Sequence, residues 1–133
     1  MASIFTKIVN GEIPAHKVAE TSEFLAFLDI NPLREGHVLV IPKKEVDYIF
    51  DLEDDLYVSM MLFAKIVARG IKKAIPCNRV GVAVVGLEVP HAHVHLIPID
   101  RISDMDFGNK KLNPTSEELS NTALKILEAL RDI

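Results

Sequence analysis

The sequence predicts an α+β fold, in which an antiparallel sheet of about five strands packs against a long central helix and a C-terminal helix. Short apolar runs separated by turn signals indicate the strands. Residues 51–75 and the segment after Thr115 instead carry apolar residues at helical spacing, which indicates two amphipathic helices. The chain has 133 residues, so we expect one domain over residues 1–133.

A strand pair is predicted over residues 23–42. The run EFLAFLDI (23–30) is mostly apolar and ends at the turn signal NPLREG, which is typical of a buried strand. The run HVLVIP (37–42) follows and ends at Pro42. Because the gap between the two runs is short, we expect a hairpin with antiparallel pairing.

The long helix is predicted from the periodicity of residues 51–75. Asp51 is suited to cap its start with Asp54 in the capping-box position, and Pro76 ends it. The recurring apolar positions that predict its buried face are Leu52, Leu56, Met60, Phe63, Val67 and Ile71.

Two more strands are predicted after this helix. RVGVAVVG (79–86) reads as a strand interrupted by Gly81. EVPHAHVHLIPI (88–99) reads as another, and Pro90 restricts its pairing to begin at or after His91.

The C-terminal part is predicted to be a polar loop over residues 101–114 and then a helix. Thr115 and Glu118 match a capping box at the start of that helix. Its predicted buried stripe consists of Leu119, Ala123, Ile126, Leu127 and Leu130.

The composition narrows the classes of function. A net charge of −4 and a pI near 5.7 argue against a nucleic-acid binder, although a local site can still attract a small anion. The single cysteine, Cys77, suits a reducing compartment, and no signal peptide or apolar run of membrane-spanning length is recognised. We therefore expect a cytoplasmic protein without a membrane partner.

Three of the five histidines stand at alternate positions in HAHVHLIP (91–98). In an extended segment these side chains share one face, so the arrangement requires neutral rings, a bound anion or a metal. Three interpretations follow: purely structural histidines, a zinc site, or nucleophilic catalysis at phosphorus. A neutral imidazole is a good nucleophile when one ring nitrogen is held protonated and the other is bare.

The run HAHVHLI resembles the motif of the histidine triad superfamily, whose members are nucleotide hydrolases and transferases. The resemblance extends upstream to SIFTKIVNGEIP and FLAFLDINPLREGHVLVIPKK and covers roughly residues 3–100. It implies an antiparallel α+β fold and attack on an α-phosphorus.

The resemblance also implies roles for the histidines. His93 would be the nucleophile that forms a covalent nucleotidyl-histidine, and the backbone carbonyl of His91 would hold the proton on its far nitrogen. His95 and His37 would face the phosphate as donors, and Glu88 would lie near the leaving group.

At the nucleotide end, the resemblance makes Asp29 the acceptor for the ribose hydroxyls. The residues that it implies for the apolar base pocket are Ile4, Phe5, Ile8, Phe27 and Ile30. Leu87 replaces a glutamine that contacts phosphate in many members. Ser3 and Thr6 stand where some members have zinc-binding cysteines, so we expect no structural zinc there.

The leading hypothesis is a hydrolase or nucleotidyl transferase that acts on a purine nucleoside phosphoramidate or a dinucleoside polyphosphate. Two alternatives stay open: a non-catalytic nucleotide-binding or scaffold protein, and a zinc hydrolase that uses the triad as ligands. We expect no cofactor for the chemistry, although a metal bound to substrate phosphates is compatible with it. The resemblance also implies a homodimer.

Overall fold

The computed structural model describes residues 2–132 and confirms the predicted α+β fold. Its five strands are β1 (Lys17–Glu20), β2 (Phe24–Leu28), β3 (Val38–Pro42), β4 (Arg79–Ala83) and β5 (Val94–Ile99). They form one sheet that is antiparallel throughout, with the order β1-β2-β3-β5-β4. The α-helices are α1 (Ile4–Val9), α2 (Asp54–Ala74) and α3 (Ser116–Arg131).

The predicted hairpin forms the centre of the sheet. Phe24 pairs with Pro42 and Leu28 with Val38, and both strands are buried along their whole length. Both faces are therefore covered, which explains why these runs are continuously apolar rather than alternating. The connecting loop ends at Gly36, whose φ of +91° is a conformation that favours glycine.

The helices α2 and α3 cover one face of the sheet and form the main core with it. The prediction that Asp51 caps α2 is wrong: residues Ile49–Asp51 form a separate 3₁₀ turn, and α2 is preceded by Glu53 without a side-chain cap. Between them Leu52 is extended and buried in the core. Its burial separates the turn from the helix.

The capping box of α3 is confirmed, because Thr115 and Glu118 each bond the other's backbone N–H. Helix α3 lies close to α2 at Gly70, where an added Cβ would approach a Leu130 side-chain carbon to 2.5 Å. A larger residue at this position would require the Leu130 side chain to move. Among residues 2–132, no helix combines the length and the apolarity needed to cross a membrane.

The opposite face of the sheet carries α1 and a smaller apolar cluster. Neither α1 nor β1 was predicted. A signal for α1 exists, because Ser3 caps it by accepting the Thr6 N–H, and Phe5 and Ile8 bury the same side. Strand β1 has only four residues and shows no clear alternation, so the sequence carries little signal for it.

Candidate active site

Four histidines converge on the α1 face of the sheet. His37 immediately precedes β3 and His95 lies in β5, whereas His91 and His93 lie in the irregular segment before β5. Pairing in β5 therefore begins at Val94, within the limit that Pro90 predicts. All four histidines are buried, with exposed fractions of 8% or less.

The proton on His93 is placed by the backbone. Its Nδ1 lies 2.7 Å from the carbonyl oxygen of His91, and a carbonyl can only accept a hydrogen bond. Nδ1 therefore carries the proton, and in the neutral ring Nε2 keeps a free lone pair. The Phe5 ring packs edge-on against His93 with a centroid distance of 5.0 Å and fixes the ring from the α1 side.

His91 is held at both ring nitrogens. Its Nε2 donates to the carbonyl oxygen of Pro42 at 2.8 Å, so Nδ1 is the acceptor in the neutral ring. Nδ1 lies 2.8 Å from the Ser3 hydroxyl, which therefore donates to it. The ring is fully buried, and burial lowers its pKa. His91 is thus held by hydrogen bonds at both ring nitrogens, and its backbone carbonyl orients the His93 ring.

An acidic side chain that the sequence reasoning missed completes this anchor. Glu45 Oε1 accepts the Ser3 backbone N–H and the Thr6 hydroxyl, both at 2.6 Å. The Ser3 backbone bond, followed by the Thr6 hydroxyl bond, lowers the pKa of the Glu45 carboxyl to about 2. Ser3 and Thr6, at the positions where the resemblance pointed to zinc-binding cysteines in other members, thus carry hydroxyls. Together with the Glu45 carboxylate they hold His91 in place.

His37 and His95 form a second, serial arrangement. The Leu33 backbone N–H donates to His37 Nδ1 at 3.1 Å, so His37 carries its proton on Nε2. That nitrogen donates to His95 Nδ1 at 3.0 Å, which leaves the proton of His95 on its own Nε2. One backbone amide therefore sets the tautomers of both rings.

Burial keeps both of these rings neutral. It is the largest cause that lowers the pKa of His37 to about 3 and that of His95 to about 4, and neighbouring positive charge adds to it. The His95 ring also contacts His93 and Phe107, with centroid distances of 5.0 and 4.8 Å. Phe107 was not identified from the sequence, because it lies in the segment predicted only as a polar loop.

The position of His37 differs from a phosphate-facing one. Both of its ring nitrogens are engaged, by Leu33 and by His95, so it contacts His95 instead of presenting a free donor. Asp29, His37 and His95 are the one group within residues 2–132 whose ligand atoms, all within 4.8 Å of one another, could hold a metal ion. His37 and His95, two members of this group, are already joined by a hydrogen bond.

Asp29 lies at the end of β2 beside this pair. Its Oδ1 accepts the Asn31 N–H at 2.9 Å, and Oδ2 lies 3.8 Å from His37 Nε2. Partial burial raises its pKa, and the bond from Asn31 opposes that shift. A cavity of about 530 Å³ borders Asp29 and His37, and α3 forms another part of its wall. No functional role for α3 at this site could be expected from the sequence.

The five residues assigned to an apolar pocket fall into two groups. Phe5, Ile8 and Phe27 are buried and form the small core under α1, where the Phe5 and Phe27 rings meet at 5.5 Å. Ile4 and Ile30 are 49% and 61% exposed. The first group therefore supports this surface, and the second offers apolar area to a ligand.

The loop before the histidine segment carries Leu87 and Glu88 on the surface. Leu87 is 89% exposed, and Glu88 is exposed as well. Within residues 2–132 the Glu88 side chain makes no hydrogen bond, so this loop does not bring it into the hydrogen-bond network of the histidines.

The fold and the site together define an antiparallel α+β protein whose sheet carries a cluster of buried histidines with backbone-set tautomers. Comparison with protein families identifies the group: the HIT domain matches residues 10–102. The chain belongs to the HIT, or histidine triad, family.

Relatives of known sequence and structure agree with this assignment. An uncharacterised HIT-like protein of Borreliella burgdorferi is 35% identical and covers 92% of this chain and 94% of its own length. An adenosine 5′-monophosphoramidase of Saccharomyces cerevisiae is 40% identical over 73% of this chain and 62% of its own. The crystal structure of a HIT-like protein from Bartonella henselae matches with a TM-score of 0.84 and 30% identity, over 96% of this chain and 95% of that one.

Proposed function

We propose that this protein is a nucleotide hydrolase or nucleotidyl transferase that uses His93 as a nucleophile. The substrate would be a purine nucleoside phosphoramidate or a dinucleoside polyphosphate. Two yeast relatives named as adenosine 5′-monophosphoramidases, each 40% identical, support a substrate of this class.

The observation that carries the proposal is the 2.7 Å bond between His93 Nδ1 and the His91 carbonyl. It holds the proton on the far nitrogen, so Nε2 can attack the α-phosphorus without first losing a proton. As the N–P bond forms, the bond from phosphorus to the leaving group breaks and its electron pair goes to the leaving group, which takes a proton from water when it is an amine. Water later hydrolyses the nucleotidyl-histidine. No metal is required in this sequence of steps.

His95 is the donor closest to this chemistry. Its ring contacts His93, and its Nε2 carries the proton in the tautomer that His37 imposes. A neutral donor of this kind can bind a phosphate oxygen as negative charge shifts in the transition state. In this proposal His37 acts through His95 and positions it. Glu88 has no defined part, because its side chain lies on the exposed loop.

Asp29 would bind the ribose. A half-buried carboxylate can accept hydrogen bonds from both sugar hydroxyls, while exposed Ile4 and Ile30 flank the base. Asp29→Ala should weaken binding of adenosine monophosphate by an amount on the order of 1–3 kcal/mol and leave the 2′,3′-dideoxy analogue nearly unaffected. Equal losses for both ligands in calorimetry would refute this role.

The deciding experiment combines turnover with trapping. Purified protein should hydrolyse adenosine 5′-phosphoramidate, and the rate should survive a chelator. Rapid quenching with labelled substrate should trap an acid-labile, base-stable adduct on the peptide that contains His93. A protein that binds the nucleotide without turnover would instead be the non-catalytic alternative, and loss of activity in chelator would favour the zinc hydrolase.

We also propose a homodimer, formed at the edge strand β4. Its free edge and the loop after it expose Val82, Val84 and Val85, and α2 exposes an apolar stripe of Val58, Leu62 and Ile66. An apolar sheet edge is a template for pairing with a second copy. Light scattering should give twice the chain mass, and Val82→Lys should shift it to the monomer.

A cytoplasmic location stays a prediction that fractionation can test.

A further inference from the structure

The segment 101–114 lies against the site, although all but its first two residues follow the region that matches the HIT domain. Near its start, Arg34 forms an ion pair with Asp104. Near its end, the Leu112 N–H donates to the Pro32 carbonyl at 2.9 Å. Both anchors belong to the β2–β3 loop, so the segment is held against the same loop that leads from Asp29 to His37.

Between these anchors the segment carries an aromatic ring that contacts His95 and an ammonium group that bonds to the backbone of the same aromatic residue. The Phe107 ring packs edge-on against His95 at 4.8 Å. Lys111 Nζ lies 3.5 Å from the Phe107 carbonyl oxygen, to which it donates. After burial and the neighbouring His93, the charge of Lys111 is a further cause of the lowered pKa of His95. Its ammonium therefore acts on the site electrostatically.

The loop on the other side of the motif offers no such charge. Leu87 in this loop is exposed and apolar, and Glu88 next to it is exposed and acidic. An anion approaching this loop would meet an apolar side chain and a carboxylate. Lys111 is exposed and its hydrogen bond to the Phe107 carbonyl is long, so its ammonium can turn toward an incoming anion.

We infer that Lys111 is a specificity-determining residue that binds an anionic leaving group, such as the nucleoside polyphosphate released from a dinucleoside polyphosphate. This inference rests on the proposed function. When His93 Nε2 donates its electron pair to the α-phosphorus, the P–O bond to the leaving group breaks and its electron pair stays on the departing oxygen. Lys111 offsets the negative charge of that group.

The test compares two substrates that share adenosine monophosphate and differ in the leaving group. Diadenosine tetraphosphate releases a polyanion, whereas adenosine 5′-phosphoramidate releases ammonia, which carries no negative charge. Lys111→Ala should lower kcat/KM about tenfold for the polyphosphate and less than about twofold for the phosphoramidate. Lys111→Arg should restore most of the loss, and raised salt should weaken the wild-type preference. Lys110→Ala is the matched control, because it removes an exposed neighbouring charge.

The outcomes separate this inference from the function on which it rests. Equal losses on both substrates would place Lys111 at the shared nucleotide, and no loss on either would remove it from the site. Both results, in an active wild type, overturn the inference alone. A loss that Lys110→Ala reproduces also overturns it. A wild type that hydrolyses neither substrate overturns the proposed function and the inference with it.

Discussion

At one end of the histidine cluster, His91 is bonded to a backbone carbonyl and to the Ser3 hydroxyl, behind which stands the Glu45 carboxylate. At the other end, His37 and His95 bond to one amide and to each other. We call these the His91 end and the His37 end. The first has several supports for one ring, whereas the second is a chain in which each ring depends on the one before it.

This difference predicts that the His91 end mainly stabilises the structure and that the His37 end mainly affects the proposed reaction. Losing one support at the His91 end leaves the Pro42 carbonyl in place, so His91 keeps its tautomer. At the His37 end, loss of the His37 ring removes the hydrogen bond that places the proton of His95 on Nε2. We therefore expect substitutions at the His91 end to affect stability more than rate, and those at the His37 end to affect rate.

His93 lies between the two ends, and its removal should have the largest effect. His93→Ala should lower kcat by roughly 10⁴–10⁶, because the proposed nucleophile is lost, while nucleotide binding by calorimetry survives. His16→Ala, outside the cluster, is the control and should keep the wild-type rate. Wild-type turnover in His93→Ala would transfer the nucleophile's role to water or a metal.

At the His37 end, His95→Ala should lower kcat by about 10²–10³, the usual cost of one transition-state donor. His37→Ala should cost less, and His37→Gln should recover part of it, since an amide can accept from Leu33 and donate to His95. If His37 acts only through His95, the double variant should be no slower than His95→Ala. Additive losses in this cycle would show that His37 acts independently.

The two buried rings of the His37 end should also make stability depend on pH. Below an unfolded pKa of about 6.5, the unfolded chain takes up protons that the folded protein binds only near pH 4 and pH 3. The free energy of unfolding should therefore fall as the pH drops below 6.5, by about 1.4 kcal/mol per histidine per pH unit. Urea titrations at pH 7.5 and pH 5.5 measure this. His37→Gln should flatten the dependence, and an unchanged slope would contradict the assigned burial effect.

At the His91 end, Ser3→Ala should have the smallest effect on rate, less than about tenfold in kcat, because His91 keeps its bond to Pro42. It should still lower the free energy of unfolding by about 1–3 kcal/mol, since it removes the α1 cap and leaves a buried acceptor unpaired. Denaturant unfolding and kcat measured on the same sample test the split. A rate loss as large as that of His95→Ala would erase the distinction between the two ends.

The parts of the fold that local sequence patterns specify could be predicted. Apolar runs predict the β2–β3 hairpin, and a capping box predicts α3. Both signals depend only on residues that are close in sequence. The start of α2 was wrong because the burial of Leu52, a tertiary contact, interrupts the helical pattern. The short α1 and β1 were missed, since their stability comes from packing on the sheet rather than from their own residues.

The site divides in the same way. The spacing of His91, His93 and His95 is visible in one run of sequence, and the family resemblance added His37 and Asp29. Glu45 and Lys111 carry no local signal, because each reaches the cluster only through contacts made by distant segments. The tautomers could not be read from the sequence either, since they follow from three backbone groups placed by the fold.

Those three backbone groups, the Leu33 amide and the carbonyls of Pro42 and His91, also bear on how this protein can evolve. Every amino acid supplies a carbonyl, and every one except proline supplies an amide hydrogen. Mutation can therefore change the side chains at these positions without deleting the atoms that place the protons. Surface residues around the site can therefore change to suit new leaving groups, while the positions of the protons on the buried histidine rings stay the same.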